Sequence, residues 1–167
     1  MTQSSLTGVT EMRISFDLDD TLFVDPVKAQ TEKELRFPWN RKYRERLRCG
    51  TGQLFDRLRA MGAEIWIYTT SFRSERYIRG LFKRYGIKLD GIVNGERHSR
   101  EIQRDKKEPM PSKYPSFYKI GLHIDDDISV FQNGRQYGFK VLIINEADEL
   151  WQEKVIEYAE RLIKKQN

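Results

Sequence analysis

The sequence predicts an α/β fold of three layers, in which a central, mostly parallel sheet of about five strands lies between helices. Two observations support this prediction. Short apolar runs alternate with longer amphipathic stretches, and polar side chains that can do chemistry follow directly where several of the apolar runs stop. This alternation is typical of βαβ units, in which a helix connects neighbouring parallel strands.

Five apolar runs are the strand candidates, and they cover residues 12–16, 63–68, 90–93, 120–124 and 139–144. Apolar residues at helical spacing predict three further elements, over residues 54–61, 77–85 and 150–163. Ser74 precedes the second of these helices and is a candidate N-cap. A shorter helix is expected over 129–137, where Asp127 could serve as its cap.

The length of 167 residues suits one domain of ordinary size. We expect residues 1–11 to form a polar tail and residues 12–167 to form a single domain. Within it, about 22–50 would be a flap or short hairpin, and about 94–116, which contains three prolines, would be a loop insertion.

Composition excludes several classes of protein. The single cysteine, Cys49, excludes an internal disulfide and fits a reducing compartment. No apolar run approaches the length of a membrane span, and the first residues lack the pattern of a secretory signal. We therefore expect a cytoplasmic protein with no membrane partner.

The net charge of +5 is unevenly distributed. Residues 36–48 hold six basic side chains against Glu45 alone, and residues 73–84 hold five against Glu75. A basic flap would steer a phosphorylated substrate, including a bulky or macromolecular one, towards the rest of the molecule. The alternative is a solvated arginine-rich face.

Carboxylate, hydroxyl and amine groups gather around the ends of the predicted strands. They are Asp17 and Asp19 after the first strand, Thr69 and Thr70 after the second, Lys113 in the loop before the fourth, and Asp125 and Asp126 after it. The carboxyl ends of parallel strands share one edge, where ligands bind. Several carboxylates in one crevice need a cation, and oxygen ligands alone favour Mg²⁺. The combination predicts phosphoryl transfer.

Residues 14–22, ISFDLDDTL, resemble the first motif of the haloacid-dehalogenase-like (HAD) phosphatases. The strand that ends in Thr69 resembles their second motif, Lys113 their third, and Asp125-Asp126 their acidic fourth, in the family's order. The resemblance implies a Rossmann-like HAD fold and the hydrolysis of phosphate monoesters.

The resemblance also implies roles for individual residues. Asp17 would be the nucleophile that forms an aspartyl-phosphate, and Asp19 would be the general acid and base. Thr69 and Lys113 would bind the phosphoryl group. Mg²⁺ would be held by Asp125, Asp126, Asp17 and the backbone carbonyl of Asp19. The chain is too short for a full cap domain, which implies a capless or minimally capped member.

Some alternatives stay open at this stage. Thr70 could replace Thr69, and Lys106 or Lys107 could replace Lys113. A receiver-like phosphoacceptor domain uses similar groups, but its acidic pair ends the first strand, whereas here the pair comes last. A nucleic-acid-binding module without turnover would use the basic segments, although no dedicated nucleic-acid motif is present. His123, inside a strand, is expected to be a hydrogen-bonded core histidine.

Overall fold

Residues 12–166 are described by a computed structural model, and the predicted tail over 1–11 lies outside them. Within these residues five strands form one sheet: β1 (Met12–Phe16), β2 (Ala63–Tyr68), β3 (Gly91–Val93), β4 (Ile120–Asp125) and β5 (Val141–Ile143). Their order is β3-β2-β1-β4-β5, and every pairing is parallel. The predicted α/β fold with a parallel sheet is confirmed.

The helices of the described residues are α1 (Trp39–Lys42), α2 (Thr51–Ala60), α3 (Glu75–Arg84), α4 (Gly95–His98), α5 (Ile128–Tyr137) and α6 (Trp151–Gln166). The side chain of Ser74 accepts a hydrogen bond from the Tyr77 amide, and that of Asp127 accepts one from the Ser129 amide. Both residues are therefore N-caps, as the sequence predicts. None of the helices of residues 12–166 has the length and apolar character needed to cross a membrane.

Both faces of the sheet are covered, and its central strands carry buried side chains on both of them. On one face Phe16 of β1 packs against Phe55 of α2, with ring centroids 4.8 Å apart. Phe82 of α3 and Trp151 of α6 belong to the same core. On the other face a second cluster forms around Tyr68 at the end of β2. The helices and the sheet thus make three layers.

The two segments without clear periodicity contain more structure than the sequence predicts. In the predicted flap over 22–50, isolated antiparallel bridges join Phe23 to Leu47 and Thr31 to Arg48, and α1 lies between them. The predicted loop insertion over 94–116 begins with α4 and a π-helical stretch over Ser99–Gln103. A 3₁₀ helix over Pro115–Tyr118 overlaps its end. These turns are only four or five residues long, so no apolar period marks them.

The strand order places a crevice beside β1. From β1 the chain moves outward through β2 and β3 on one side, and through β4 and β5 on the other. Phe16 lies in register with Ile67 of β2 and Ile124 of β4. The residues that follow these three positions therefore share one edge, at the point where open α/β sheets bind ligands.

Candidate active site

Three carboxylates meet where β1 and β4 end. Oxygen atoms of Asp17, Asp125 and Asp126 all lie within 4.8 Å of one another. The backbone explains the approach, because the amide of Asp17 donates to the carbonyl of Ile124 at 2.9 Å and ties the two strand ends together. A donor set made only of carboxylate oxygens suits a hard cation such as Mg²⁺.

Lys113 lies inside this cluster. Its Nζ atom is 2.7 Å from Oδ1 of Asp17 and 2.6 Å from Oδ2 of Asp125, and its side chain is only 3% exposed. Burial acts to lower the pKa of Lys113, but the two carboxylates outweigh burial and leave that pKa raised. Lys106 and Lys107, the alternatives in the same segment, are both exposed.

The charges of the cluster do not balance. Burial raises the pKa of Asp17 to about 7; Lys113 opposes this rise and the charge of Asp125 adds to it. Burial, together with the charge of Asp125, also raises the pKa of Asp126. Three ionised carboxylates and one lysine carry a formal charge of about −2, which a divalent cation would neutralise. The donor set and its charge therefore both fit Mg²⁺.

A buried histidine supports the Asp125 carboxylate from behind. His123 Nε2 is 2.8 Å from Oδ2 of Asp125, and its Nδ1 is 2.7 Å from the hydroxyl of Ser15. Burial lowers the pKa of His123, which keeps the ring neutral. A neutral ring beside an ionised Asp125 donates from Nε2 and accepts from Ser15 at Nδ1. Despite burial, His123 and Lys113 hold the pKa of Asp125 below its usual range.

The end of β2 contributes one buried hydroxyl. Thr69 is buried and its Oγ1 accepts a hydrogen bond from the amide of Ser71 at 3.1 Å, whereas Thr70 is exposed. Because the hydroxyl of Thr69 accepts this bond, its hydrogen stays available to a ligand oxygen. Burial thus favours Thr69 over Thr70 as the candidate phosphate-binding hydroxyl at the end of β2.

Asp19 lies apart from the three-carboxylate cluster. Both of its oxygens pair with Arg73, at 2.8 and 2.9 Å, and its side chain is 51% exposed. Arg73 also donates from Nε to Glu45 of the flap at 2.9 Å. Whether the backbone carbonyl of Asp19 takes part in metal binding stays a prediction.

Sequence analysis did not identify Arg73, nor the hydrogen bonds that anchor Lys113. The phenol of Tyr68 lies 2.6 Å from Nδ1 of His98 and accepts a hydrogen bond from the amide of Tyr114 at 2.9 Å. Tyr114 directly follows Lys113, so β2 and α4 together fix the loop that carries the lysine. The sequence places Arg73 in the basic segment over 73–84 but gives no sign that it pairs with Asp19.

Solved structures with the same fold share low sequence identity with this chain. A chain of the Pnkp1/Rnl/Hen1 RNA repair complex matches with a TM-score of 0.52 and 15% identity, over 88% of this chain and 48% of that chain. A structure described as a predicted HAD-like family hydrolase from Porphyromonas gingivalis matches with a TM-score of 0.50 and 14% identity, over 92% and 98%. The HAD domain of effector protein Lem4 from Legionella pneumophila matches with a TM-score of 0.50 and 15% identity, over 88% and 92%.

These matches define the class of fold. The chain spans about half the length of the RNA repair protein and nearly all of the HAD-like hydrolase. No protein-family model and no curated protein matches the sequence. The protein has the fold of HAD-like hydrolases, as the motif resemblance implies.

Proposed function

We propose that this protein is a Mg²⁺-dependent phosphatase that hydrolyses phosphate monoesters through an aspartyl-phosphate on Asp17. The observation that carries the proposal is the cluster at the end of β1 and β4. There Asp17, Asp125 and Asp126 lie within 4.8 Å of one another, and a buried lysine pairs with two of them. This cluster supports the proposal because it combines the groups that a carboxylate nucleophile, a metal site and a phosphate-binding cation would need.

The first step transfers the phosphoryl group to Asp17. A carboxylate oxygen of Asp17 attacks phosphorus, the bond from phosphorus to the ester oxygen breaks, and that oxygen leaves with a proton from Asp19. Lys113 and the hydroxyl of Thr69 bind the equatorial oxygens of the phosphoryl group. Mg²⁺ held by Asp17, Asp125 and Asp126 would reduce the repulsion between the anionic nucleophile and the anionic phosphate.

The second step releases phosphate. Asp19, now a carboxylate, takes a proton from water, the water oxygen attacks phosphorus, and the acyl–phosphate bond breaks to restore the Asp17 carboxylate. Arg73 affects both steps because Asp19 gains or loses a proton in each, and a guanidinium can donate hydrogen bonds to Asp19 but cannot accept one from it. When Asp19 is protonated, its O–H therefore has to point away from the donors of Arg73 and towards the ester oxygen.

We expect the crevice to admit large substrates. The flap over 22–50 includes only one four-residue helix, α1, and the segment over 94–116 packs through Ile102 into the cluster around Tyr68. Neither forms a domain-sized cover. We infer that the enzyme is capless or minimally capped and that its phosphorylated substrates include bulky ones.

Hydrolysis of a chromogenic phosphate monoester tests the proposal. We expect turnover with Mg²⁺, its loss in chelator, and a fall of at least about 1,000-fold in Asp17→Asn, since the amide cannot act as the nucleophile. Asp56→Asn, an exposed aspartate of α2, is the matched control and should keep full activity. Metal-independent turnover, or an active Asp17→Asn enzyme, would contradict the proposal. A stable phosphoprotein without turnover would favour a receiver-like domain instead.

A further inference from the structure

One exposed face of the molecule carries cations that lack acidic partners. Among residues 12–166, the exposed side chains of Arg36, Arg41, Lys42, Arg44 and Arg76 form no ion pair; isolated exposed arginines such as Arg104 and Arg135 also form none, but these five are grouped on the flap and α3. We call these five residues the basic surface. Unpaired cations that are close together repel one another, so this arrangement favours an anionic partner that neutralises them.

The flap and α3 form a single face because they pack closely. The rings of Tyr43 and Tyr77 lie 5.0 Å apart, and the Tyr77 hydroxyl lies 3.1 Å from the carbonyl of Lys42. A side chain at Gly80 would begin only 2.2 Å from the Tyr43 hydroxyl, so only glycine permits this approach. The cations of residues 36–44 and Arg76 of α3 are therefore held on one surface.

This surface is continuous with the candidate active site. Glu45, which directly follows Arg44, accepts a hydrogen bond from Arg73, and Arg73 pairs with both oxygens of Asp19. Arg76 lies three residues after Arg73, in the first turn of α3. A chain of phosphates that starts at the crevice would thus meet the basic surface next.

Two exposed phenylalanines accompany the cations. Phe37 is 70% exposed, and the guanidinium of Arg41 lies 5.2 Å from the centroid of its ring. Phe72, between the buried Thr69 and Arg73, is 72% exposed, and its ring packs over Gly95. Open aromatic faces beside cations are the means by which proteins bind single-stranded nucleic acid, since every base can stack. An acidic phosphopeptide would use the cations but not the rings.

We propose that the basic surface binds a single strand of nucleic acid whose terminal phosphate enters the crevice at Asp17. This inference rests on the proposed phosphatase function and names its substrate class. The cations contact the backbone phosphates next to the end, and Phe37 and Phe72 stack on bases. Sequence readout is not part of the proposal, because phosphate contacts and stacking carry little sequence information.

The test compares kcat/KM for a phosphorylated strand of about ten nucleotides with that for the mononucleotide bearing the same phosphate. Strands of DNA and RNA with the phosphate at either end, an acidic phosphopeptide and a small chromogenic monoester complete the panel. We expect the best strand to exceed its mononucleotide by at least about tenfold at low salt, and this advantage to fall as salt rises. The double variant Arg41→Ala/Arg44→Ala should reduce the log–log salt slope by about 1.4, at about 0.7 per lost phosphate contact.

Two further variants separate the surface from general charge effects. Phe37→Ala should lower kcat/KM for the strand by about tenfold and leave the salt slope unchanged. The control variant Lys164→Ala/Lys165→Ala removes two positive charges, as the flap double variant does, but from the last turn of α6. Because α6 follows β5, it ends at the edge of the sheet opposite the crevice. This variant should keep the preference for the strand over the mononucleotide.

The outcomes distinguish failure of this inference from failure of the phosphatase proposal. Turnover of the monoester without any preference for the strand overturns the inference alone, and so does preference for the phosphopeptide. Equal losses in the flap and α6 double variants would also overturn it. If the folded protein with Mg²⁺ hydrolyses none of the phosphate monoesters in the panel, the phosphatase proposal is overturned, and this inference with it.

Discussion

The protonation of Asp17 makes the stability of the metal-free protein depend on pH. Burial raises the pKa of Asp17 from an ordinary value of 3.8 to about 7. The folded state therefore holds the proton more tightly than the unfolded chain does, and folding is favoured by this group below about pH 4. As pH rises from about 4 to about 7 that contribution is lost, because the folded state must then carry an ionised Asp17 beside Asp125.

The size of the effect follows from the shift. About three pKa units at about 1.4 kcal/mol each give an upper value of about 4 kcal/mol. Asp17→Asn cannot ionise and keeps an oxygen to accept from Lys113. We expect it to be more stable than the natural sequence by about 2 to 4 kcal/mol at about pH 8 without metal, and about equally stable near pH 4. With Mg²⁺ present the natural sequence should gain more stability than the variant, because it has one more charged ligand.

Urea unfolding at these two pH values, in chelator and in Mg²⁺, measures both differences. Asp56→Asn serves as the control, since Asp56 is exposed on α2 and lies outside the cluster. Equal stability of Asp17→Asn and the natural sequence at about pH 8 in chelator would refute the reasoning. So would a stability difference that persists unchanged at acid pH, because a constant difference cannot come from the titration of Asp17.

Three further variants test other contacts. Lys113→Met leaves the three carboxylates without a cation, so we expect a loss of about 3 kcal/mol or more in chelator, which Mg²⁺ partly restores; urea unfolding measures it. Tyr68→Phe removes the hydroxyl shared by His98 and Tyr114, and should cost about 1 to 3 kcal/mol and raise KM for a small monoester by misplacing Lys113. Arg73→Ala releases Asp19 and leaves Glu45 with the Tyr77 hydroxyl as its remaining donor, so limited proteolysis within 22–50 should become faster; unchanged cleavage would contradict a flap held by Arg73.

Most of the sheet could be predicted because its strands are buried on both sides. The apolar residues of β1, β2 and β4 mark these strands, and of their predicted ends only that of β4 differs from the structure, by one residue. The short helix α1 could not be predicted in the same way. It has four residues and no buried one, and its place depends on the contact of Tyr43 with α3.

The contacts of the candidate site that run through the sheet could likewise be predicted. Parallel strands bring their carboxyl ends together whatever the intervening sequence, so the meeting of Asp17 with Asp125 and Asp126 could be expected from the order of the strands. The support of Asp125 by Ser15 and His123 also left a signal. His123 and Asp125 are two apart on β4, and Ser15 lies in register with His123 on β1. Polar residues on one face of two adjoining buried strands indicate a shared network.

The contacts of Arg73 left no such signal. They join Asp19 to a residue 54 positions later and Glu45 to one 28 positions later, through side chains on loops and helix termini rather than through the sheet. Spacing along the chain says nothing about such pairs, because the path of the flap decides them. The same holds for Tyr68 and His98, whose hydrogen bond depends on the turn at α4.

The different burial of the two motif aspartates matches the different tasks proposed for them. A nucleophile must keep one position and be desolvated, and the Asp17 side chain is 10% exposed and fixed by Lys113. A general acid and base must exchange protons with water in every cycle, and Asp19 is half exposed and, among residues 12–166, has Arg73 as its side-chain partner. Because Arg73 also pairs with Glu45 of the flap, the release of Asp19 depends on a guanidinium that contacts the flap. Replacing Glu45 by Gln should therefore alter the step that needs Asp19 more than the binding of a small monoester, which a change in kcat with little change in KM would show.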